Sequence, residues 1–176
     1  MSEKIALGRT NELDRQDFVA RFGSLFEHSP WVAEAAWSSR PFGSTEELWR
    51  AFEDAMYSAP RGRQLDLIRA HPDLAGKAAV AGELTQESAR EQASAGLDRL
   101  SPGEFEAFTR MNREYRDKFG LPMVVCVREH TEESILKNVQ SRLGNTRDEE
   151  IKTALAEIAK ISHYRLLDLI EREEAR

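Results

Sequence analysis

The sequence predicts an all-α protein, and three observations lead to that class. Apolar residues recur at intervals of three and four positions through most of the 176 residues, which places them on one face of a helix. Capping residues, prolines and glycines bound these periodic segments. Only residues 121–127 have the composition of a strand, and no second segment could pair with them. We therefore expect one domain over residues 1–176, a bundle of about eight helices with one extended buried connector.

The first four helices are predicted from their apolar stripes and from the residues that bound them. Proline is favoured at the first helical position, so Pro30 marks the beginning of the second helix. Ser44 and Glu47 have the spacing of a capping box and begin the third helix. Residues 1–12 precede the pattern and are expected to be frayed. The four expected ranges are 13–26, 30–39, 44–59 and 61–71.

The last four helices are bounded by the same kinds of signal. Ser101 and Glu104 form a capping box, and Gly120 supplies the left-handed residue that ends the same helix. Thr146 caps the final helix. Residues 75–82 fit either a short helix or a loop. The four expected ranges are 85–96, 102–119, 131–143 and 146–172.

Composition excludes several classes of protein. The net charge is −6 and Lys and Arg form no stripe, which argues against a nucleic-acid partner. No apolar stretch approaches the roughly 18 residues of a membrane span, and the N-terminus lacks the apolar region of a signal peptide. The single cysteine, Cys126, fits a reducing compartment, so we expect a cytoplasmic protein without a membrane partner. Cys126 lies in an apolar run and is interpreted as a small buried core residue rather than a nucleophile.

The candidate site is centred on His71, which stands where a helical pattern meets Pro72. A proline disfavours helical geometry at the residue before it, so the imidazole is expected at a helix end. Ser88, Glu91 and Gln92 are spaced i, i+3 and i+4 and share one helix face. If that face packs toward His71, the pocket combines a base that titrates near neutral pH, a carboxylate and two neutral hydrogen-bonding groups. A structural capping histidine and a solvated helix face are the alternatives.

Arg165 is the second unusual residue, because it falls within the apolar stripe of the last helix. An unpaired buried guanidinium is costly, so this side chain needs a partner. One interpretation is an internal salt bridge to Glu91, Asp73 or another acid. The other is a bidentate anchor for a substrate carboxylate or planar carbonyl, which Arg holds better than Lys.

No metal or nucleotide site is predicted. His28, His130 and His163 stand singly, without the spacing of a metal-binding motif, and the chain has no glycine-rich phosphate-binding loop. Residue types and spacing alone therefore lead to an all-α enzyme or ligand-binding domain with an acid–base pocket.

Short blocks in a fixed order carry a resemblance to a known family. They are Phe26-Glu27-His28-Ser29-Pro30-Trp31, Arg40-Pro41-Phe42, Ala70-His71-Pro72-Asp73-Leu74-Ala75-Gly76, Ser88 with Glu91-Gln92, Ala95-Gly96-Leu97, Asn112, Tyr115, Lys118-Phe119-Gly120 and Arg165-Leu166. From about Phe18 to Leu169 the chain resembles the 2-oxo-4-hydroxy-4-carboxy-5-ureidoimidazoline (OHCU) decarboxylases of urate breakdown. The chain departs from the family's usual Phe-Gly-Phe-Pro-Phe, because Leu121 and Met123 replace two aromatic residues.

The resemblance implies an all-helical, cofactor-free lyase that converts a small molecule, OHCU, to (S)-allantoin with loss of carbon dioxide. It implies that His71 is the principal acid–base group and that Glu91 sets its protonation or holds the ureido N–H groups. Family members are often homodimers, so a homodimer is possible. The rival functions are a non-catalytic subunit that binds purine catabolites and a lyase or hydrolase for another ureido compound. The substrate-binding residues that the resemblance implies are Pro72, Ser88, Gln92, Val124, Val125 and Arg165.

Overall fold

The all-α class is confirmed by a computed structural model, which describes residues 4–171. Within that range the chain forms ten α-helices, three short 3-10 turns and no strand beyond one isolated bridge between Ile5 and Ile170. The turns are Gly23–Leu25, Trp37–Ser39 and Val127–Glu129. The helices are α1 (Leu7–Glu12), α2 (Arg15–Phe22), α3 (Trp31–Ala36), α4 (Thr45–Tyr57), α5 (Arg61–Ala70), α6 (Lys77–Ala81), α7 (Gln86–Ser94), α8 (Pro102–Phe119), α9 (Glu132–Arg142) and α10 (Arg147–Leu169).

Two of these helices were not predicted. The expectation of a frayed N-terminus is wrong for residues 5–12, because α1 forms there and the backbone of Ile5 is paired. The Ile5 N–H donates to the Leu169 carbonyl and the Ile5 carbonyl accepts from the Glu171 N–H, both at 2.9 Å. Such pairing with a distant part of the chain leaves no local periodicity. Residues 1–3 of that expectation, and residue 172 of the expected last helix, lie outside the described residues. Residues 75–82, for which the sequence fits either a short helix or a loop, contain α6. This helix ends at Gly82, which has a left-handed φ of 71°.

Local capping signals were the most reliable part of the prediction. Ser101 and Glu104 form a complete capping box, and Gly120 ends α8 at φ 66°. The predicted box at α4 is only half formed. The Ser44 hydroxyl accepts from the Glu47 N–H at 3.1 Å, but the Glu47 carboxylate accepts from Gly43 instead, at 2.7 Å.

Contacts between Cα atoms divide the chain into two compact units. One unit combines the chain up to Leu67 with the part from Ala159 onward, and the other is Ile68–Ile158. The first has a phenylalanine core in which the ring of Phe52 lies 5.8 Å from the ring of Phe18. In the second, α8 buries Phe108, Tyr115 and Phe119 on one face. The single domain expected over residues 1–176 stays a prediction.

The extended buried connector is also confirmed. Between α8 and the turn Val127–Glu129, the segment 121–126 is neither helix nor strand, and its apolar side chains are buried. Leu121 and Met123, which replace the usual aromatic residues, are part of this core. Among the helices of residues 4–171, none combines the length and apolarity that a bilayer crossing requires.

The phenylalanine core predicts a large difference between two aromatic residues of α4. Phe52 is 1% exposed and Tyr57 is 45% exposed. Phe52→Ala should lower the free energy of unfolding by about 3–5 kcal/mol, because it leaves a cavity among packed rings. Tyr57→Ala is the control in the same helix and should cost less than about 1 kcal/mol. Urea titration followed by circular dichroism measures both, and equal losses would contradict this account of the core.

Candidate active site

His71 lies where the sequence placed it, directly after the last residue of α5. Its backbone N–H donates to the Ile68 carbonyl at 3.1 Å, and its side chain is buried. The next residues turn tightly: Ala75 has φ 49°, and a Cβ on Gly76 would lie 2.8 Å from the Asp73 Cβ. Only glycine fits such a close approach. The imidazole therefore stands at the junction of a helix and a closely turned loop.

The face of α7 formed by Ser88, Glu91 and Gln92 is buried, so the alternative of a solvated helix face is wrong. Gln92 connects this face to the loop that follows the histidine. Its Oε1 accepts from the Ala75 N–H at 2.9 Å, and its Nε2 donates to the Asp73 carbonyl at 3.4 Å. Gln92 therefore ties this end of α7 to the loop that follows His71.

Two further side chains hold the same loop from α8. Asn112 Nδ2 donates to the Leu74 carbonyl at 2.9 Å. Arg116 Nε lies 2.9 and 3.0 Å from the two carboxylate oxygens of Asp73. The family blocks include Asn112, but sequence analysis missed Arg116. Its only signal was the four-residue spacing from Asn112, which places both on one side of α8.

The connector is held at two of its backbone groups. Arg142 Nη1 donates to the Val124 carbonyl at 2.7 Å, and the Cys126 N–H donates to Glu157 Oε2 at 2.7 Å. Within residues 4–171, the N–H and C=O of Val125 have no hydrogen-bond partner. Sequence analysis identified neither Arg142 nor Glu157 as a partner of this backbone. The Val125 N–H and C=O, one donor and one acceptor, therefore lie between two anchored groups, the Val124 carbonyl and the Cys126 N–H.

Arg142 is itself part of a buried ionic network. Its Nη2 lies 2.8 Å from Glu150 Oε2, and these residues are 6% and 0% exposed. The Tyr115 hydroxyl donates to the same carboxylate oxygen, and Asn145 Nδ2 donates to the other at 2.8 Å. Burial, and then the bond to Glu150, raise the pKa of the Tyr115 hydroxyl far above its ordinary value. The phenol therefore stays a hydrogen-bond donor.

Glu91 faces a cation that sequence analysis did not single out. Arg128 Nη2 lies 3.9 Å from Glu91 Oε1, and α7 packs against the turn that carries Arg128. The two residues line a cavity of about 480 Å³ together with Arg90, Ser94, Val127 and His130. Two arginines make this cavity locally positive on an acidic protein, which suits a small anion. Arg128 is the first charged residue after the apolar run, which is the only signal that could have found it.

Two other predicted site residues line separate cavities. Pro72 lies at a cavity of about 640 Å³ with Asn112 and Arg116, and Gln92 lies at a mostly apolar cavity of about 610 Å³. His71 is not among the residues that line these cavities or the one beside Glu91. Within residues 4–171, no group of three His, Cys, Asp or Glu side chains is placed to hold a metal ion.

Arg165 belongs to the other compact unit, so it is described separately. Its side chain is 4% exposed, and Nη1 donates to Glu27 Oε2 at 3.2 Å and to the Ser24 carbonyl at 3.3 Å. The sequence left the partner open as Glu91, Asp73 or another acid. The structure shows another acid, Glu27. Glu27 lies 138 positions away in the sequence, so helical periodicity could not identify it.

Comparison with known proteins decides the family. The family model described as OHCU decarboxylase matches residues 11–167. The chain belongs to the OHCU decarboxylase family. The decarboxylases of this name from Haloferax volcanii and Halalkalicoccus jeotgali are both 42% identical to it, over 97% and 90% of this chain and 99% and 88% of their own. The crystal structure of (S)-allantoin synthase matches 97% of this chain and 56% of its own, with a TM-score of 0.78 and 25% identity.

Family membership confirms the resemblance, and two of the segments that it implied for the site lie against α7. The loop after His71 contacts α7 through Gln92, and the turn that follows the connector packs against α7. The roles assigned to the individual side chains of this OHCU decarboxylase family member stay predictions.

The single cysteine has the environment expected of a core residue. Cys126 is buried, and burial raises the pKa of its thiol to about 12, with smaller contributions from Glu129 and Glu157. The thiolate is the reactive form, so the folded protein holds this group in an inert state near neutral pH.

This pKa predicts slow alkylation of the folded protein. At about pH 8, Cys126 should react with iodoacetamide at least about a thousandfold more slowly than after unfolding in urea, because an unfolded thiol has a pKa of about 8.5. Mass spectrometry of timed samples measures both rates. Because ionisation favours the unfolded chain between about pH 9 and 12, stability should also fall across that range. Fast labelling of folded protein would show that the thiol is accessible and ionised.

Proposed function

We propose that this chain is an OHCU decarboxylase that forms (S)-allantoin in urate breakdown without a cofactor. The observation that carries the proposal is family membership across residues 11–167. The buried face of α7 and its connection to the loop of His71 support it. We place the reaction in the cytoplasm, without nucleic-acid partners, and a homodimer stays a prediction.

The chemistry explains why no cofactor is needed. Loss of the carboxylate as carbon dioxide leaves an electron pair on ring carbon C4, and that pair can delocalise into the neighbouring C=N bond of the imidazoline. The C4 hydroxyl then becomes a carbonyl, and the proton goes to C5, the carbon that bears the ureido group. The protein has to orient the carboxylate, stabilise the developing negative charge and deliver this proton to one face of C5. A fixed acid–base group and a set of oriented hydrogen-bonding groups are sufficient for these tasks.

We assign the proton transfer to His71. A helix end and a loop tied to α7 and α8 hold its backbone, so the imidazole can address one face of a bound ring. Glu91 sets the protonation of the imidazole or holds the ureido N–H groups. Arg128 Nη2 lies 3.9 Å from the Glu91 carboxylate.

The remaining substrate contacts are assigned to neutral groups and to one cation, Arg165, which is proposed to hold a carboxylate or a planar carbonyl of the substrate. Ser88 and Pro72 are proposed to contact the ring and ureido atoms. Gln92 is bonded to Ala75 and Asp73, so any contact that it makes with substrate is combined with holding the loop. The Val124 carbonyl is occupied by Arg142, which leaves the Val124 N–H and the Val125 backbone for substrate.

The first test compares two equal substitutions. His71→Asn should lower kcat by at least about 10²–10⁴-fold, the usual contribution of general acid–base catalysis. His28→Asn is the control, because His28 is exposed and asparagine tolerates its φ of 46°. OHCU is generated in situ from urate with urate oxidase and hydroxyisourate hydrolase, and circular dichroism follows the chirality of the allantoin.

The uncatalysed reaction gives racemic allantoin, so optical activity reports on the enzyme directly. Wild type and His28→Asn should give (S)-allantoin rapidly. Folded His71→Asn with normal turnover would refute the role of the histidine, and racemic product from wild type at the uncatalysed rate would refute the function.

Arg165 is tested by keeping its charge and changing its shape. Arg165→Lys retains a cation for Glu27 but loses the planar pair of donors, so kcat/KM should fall by at least about tenfold while the protein stays folded. Arg165→Ala should destabilise the fold by about 3–5 kcal/mol, because it removes a buried ion-pair partner. If Arg165→Lys changes the melting temperature but leaves kcat/KM unaltered, the residue is only the structural partner of Glu27.

A further inference from the structure

We infer that Glu157 is a positioning residue that aims the backbone of Val125 at the substrate. The inference rests on the proposed function, in which Val125 contributes substrate-binding groups. It concerns a side chain that contacts the connector rather than the reacting molecule. The hydrogen bond from the Cys126 N–H to Glu157 Oε2, 2.7 Å long, is the contact involved.

The geometry of the peptide group fixes the direction of the two free groups. A trans peptide is planar, and its C=O and N–H point in opposite directions. The Val124 carbonyl points to Arg142, so the Val125 N–H points away from Arg142. The Cys126 N–H points to Glu157, so the Val125 carbonyl points away from Glu157. Each anchor therefore orients one polar group of Val125 without touching it.

The two groups form a recognition element with a defined chemistry. Val125 offers one donor and one acceptor, and neither has a partner within residues 4–171. Because buried backbone groups require partners, a ligand that brings both a C=O and an N–H would satisfy them. The ureido group and the imidazoline ring of OHCU both carry such pairs.

Both anchors depend on one face of α10. Glu150 and Glu157 are seven positions apart, so their side chains lie on the same side of this helix, two turns from each other. Glu150 holds Arg142, which holds Val124, whereas Glu157 holds Cys126 directly. Removal of Arg142 or Glu150 would leave a buried charge and destabilise the fold. Glu157 is only half-buried, so it is the better residue to change.

Three variants separate positioning from stability. Glu157→Ala removes the acceptor for the Cys126 N–H, whereas Glu157→Gln keeps a carbonyl oxygen at the same place. Glu114→Ala is the control, because Glu114 is an exposed glutamate in the interior of α8. Amide hydrogen exchange at Cys126, resolved by NMR, measures the anchor itself. Glu157→Ala should raise that exchange rate at least about tenfold, and the other two variants should resemble wild type.

The kinetic measurement uses OHCU generated in situ. Glu157→Ala should lower kcat/KM about tenfold, mainly through KM, and Glu157→Gln should restore it to within about threefold of wild type. Unchanged exchange in Glu157→Ala overturns the inference, and so does faster exchange with unchanged kcat/KM. If wild type does not turn over OHCU, the proposed function fails, and the exchange rates still decide whether Glu157 holds the connector.

Discussion

The second unit depends on satisfying a buried backbone that belongs to no helix and no sheet. Residues 121–126 place apolar side chains in the core, and their peptide groups go with them. Buried peptide groups without hydrogen-bond partners destabilise the fold. In a sheet, the neighbouring strand would provide those partners. Here charged side chains from α9 and α10 replace the neighbouring strand. Arg142 in turn has to be neutralised, which requires Glu150 and the Tyr115 hydroxyl.

The loop after His71 is held in a similar way. Its peptide groups are bonded by the amides of Gln92 and Asn112, and its carboxylate by Arg116. In both segments, side chains that leave rigid helices fix an irregular backbone at chosen points. An irregular backbone can present groups in directions that a helix cannot, because helical N–H and C=O groups are already bonded to each other. The protein thus obtains polar groups for binding while its framework remains helical.

How far the sequence could predict this arrangement depends on the distance between interacting residues. Ser101 with Glu104, and Gly120, are local signals, and they were predicted correctly. The shared face of Ser88, Glu91 and Gln92 followed from their helical spacing of three and four positions. Ile5 with Leu169 and Arg165 with Glu27 are separated by most of the chain, so no local pattern contains them. Family resemblance supplied the candidate site residues, but it could not supply Arg116, Arg142 or Glu157, which hold the loop and the connector.

Control of product chirality explains why such indirect residues matter. Loss of carbon dioxide gives a planar, delocalised intermediate, so the configuration of the product depends on which face receives the proton. A protein can control that face only if the ring cannot turn relative to the acid–base group within the lifetime of the intermediate. Hydrogen bonds to the backbone of Val125 would fix the ring, and the loop of His71 would fix the proton donor. Residues that hold these two segments should therefore affect the enantiomeric excess of the allantoin as well as the rate of its formation.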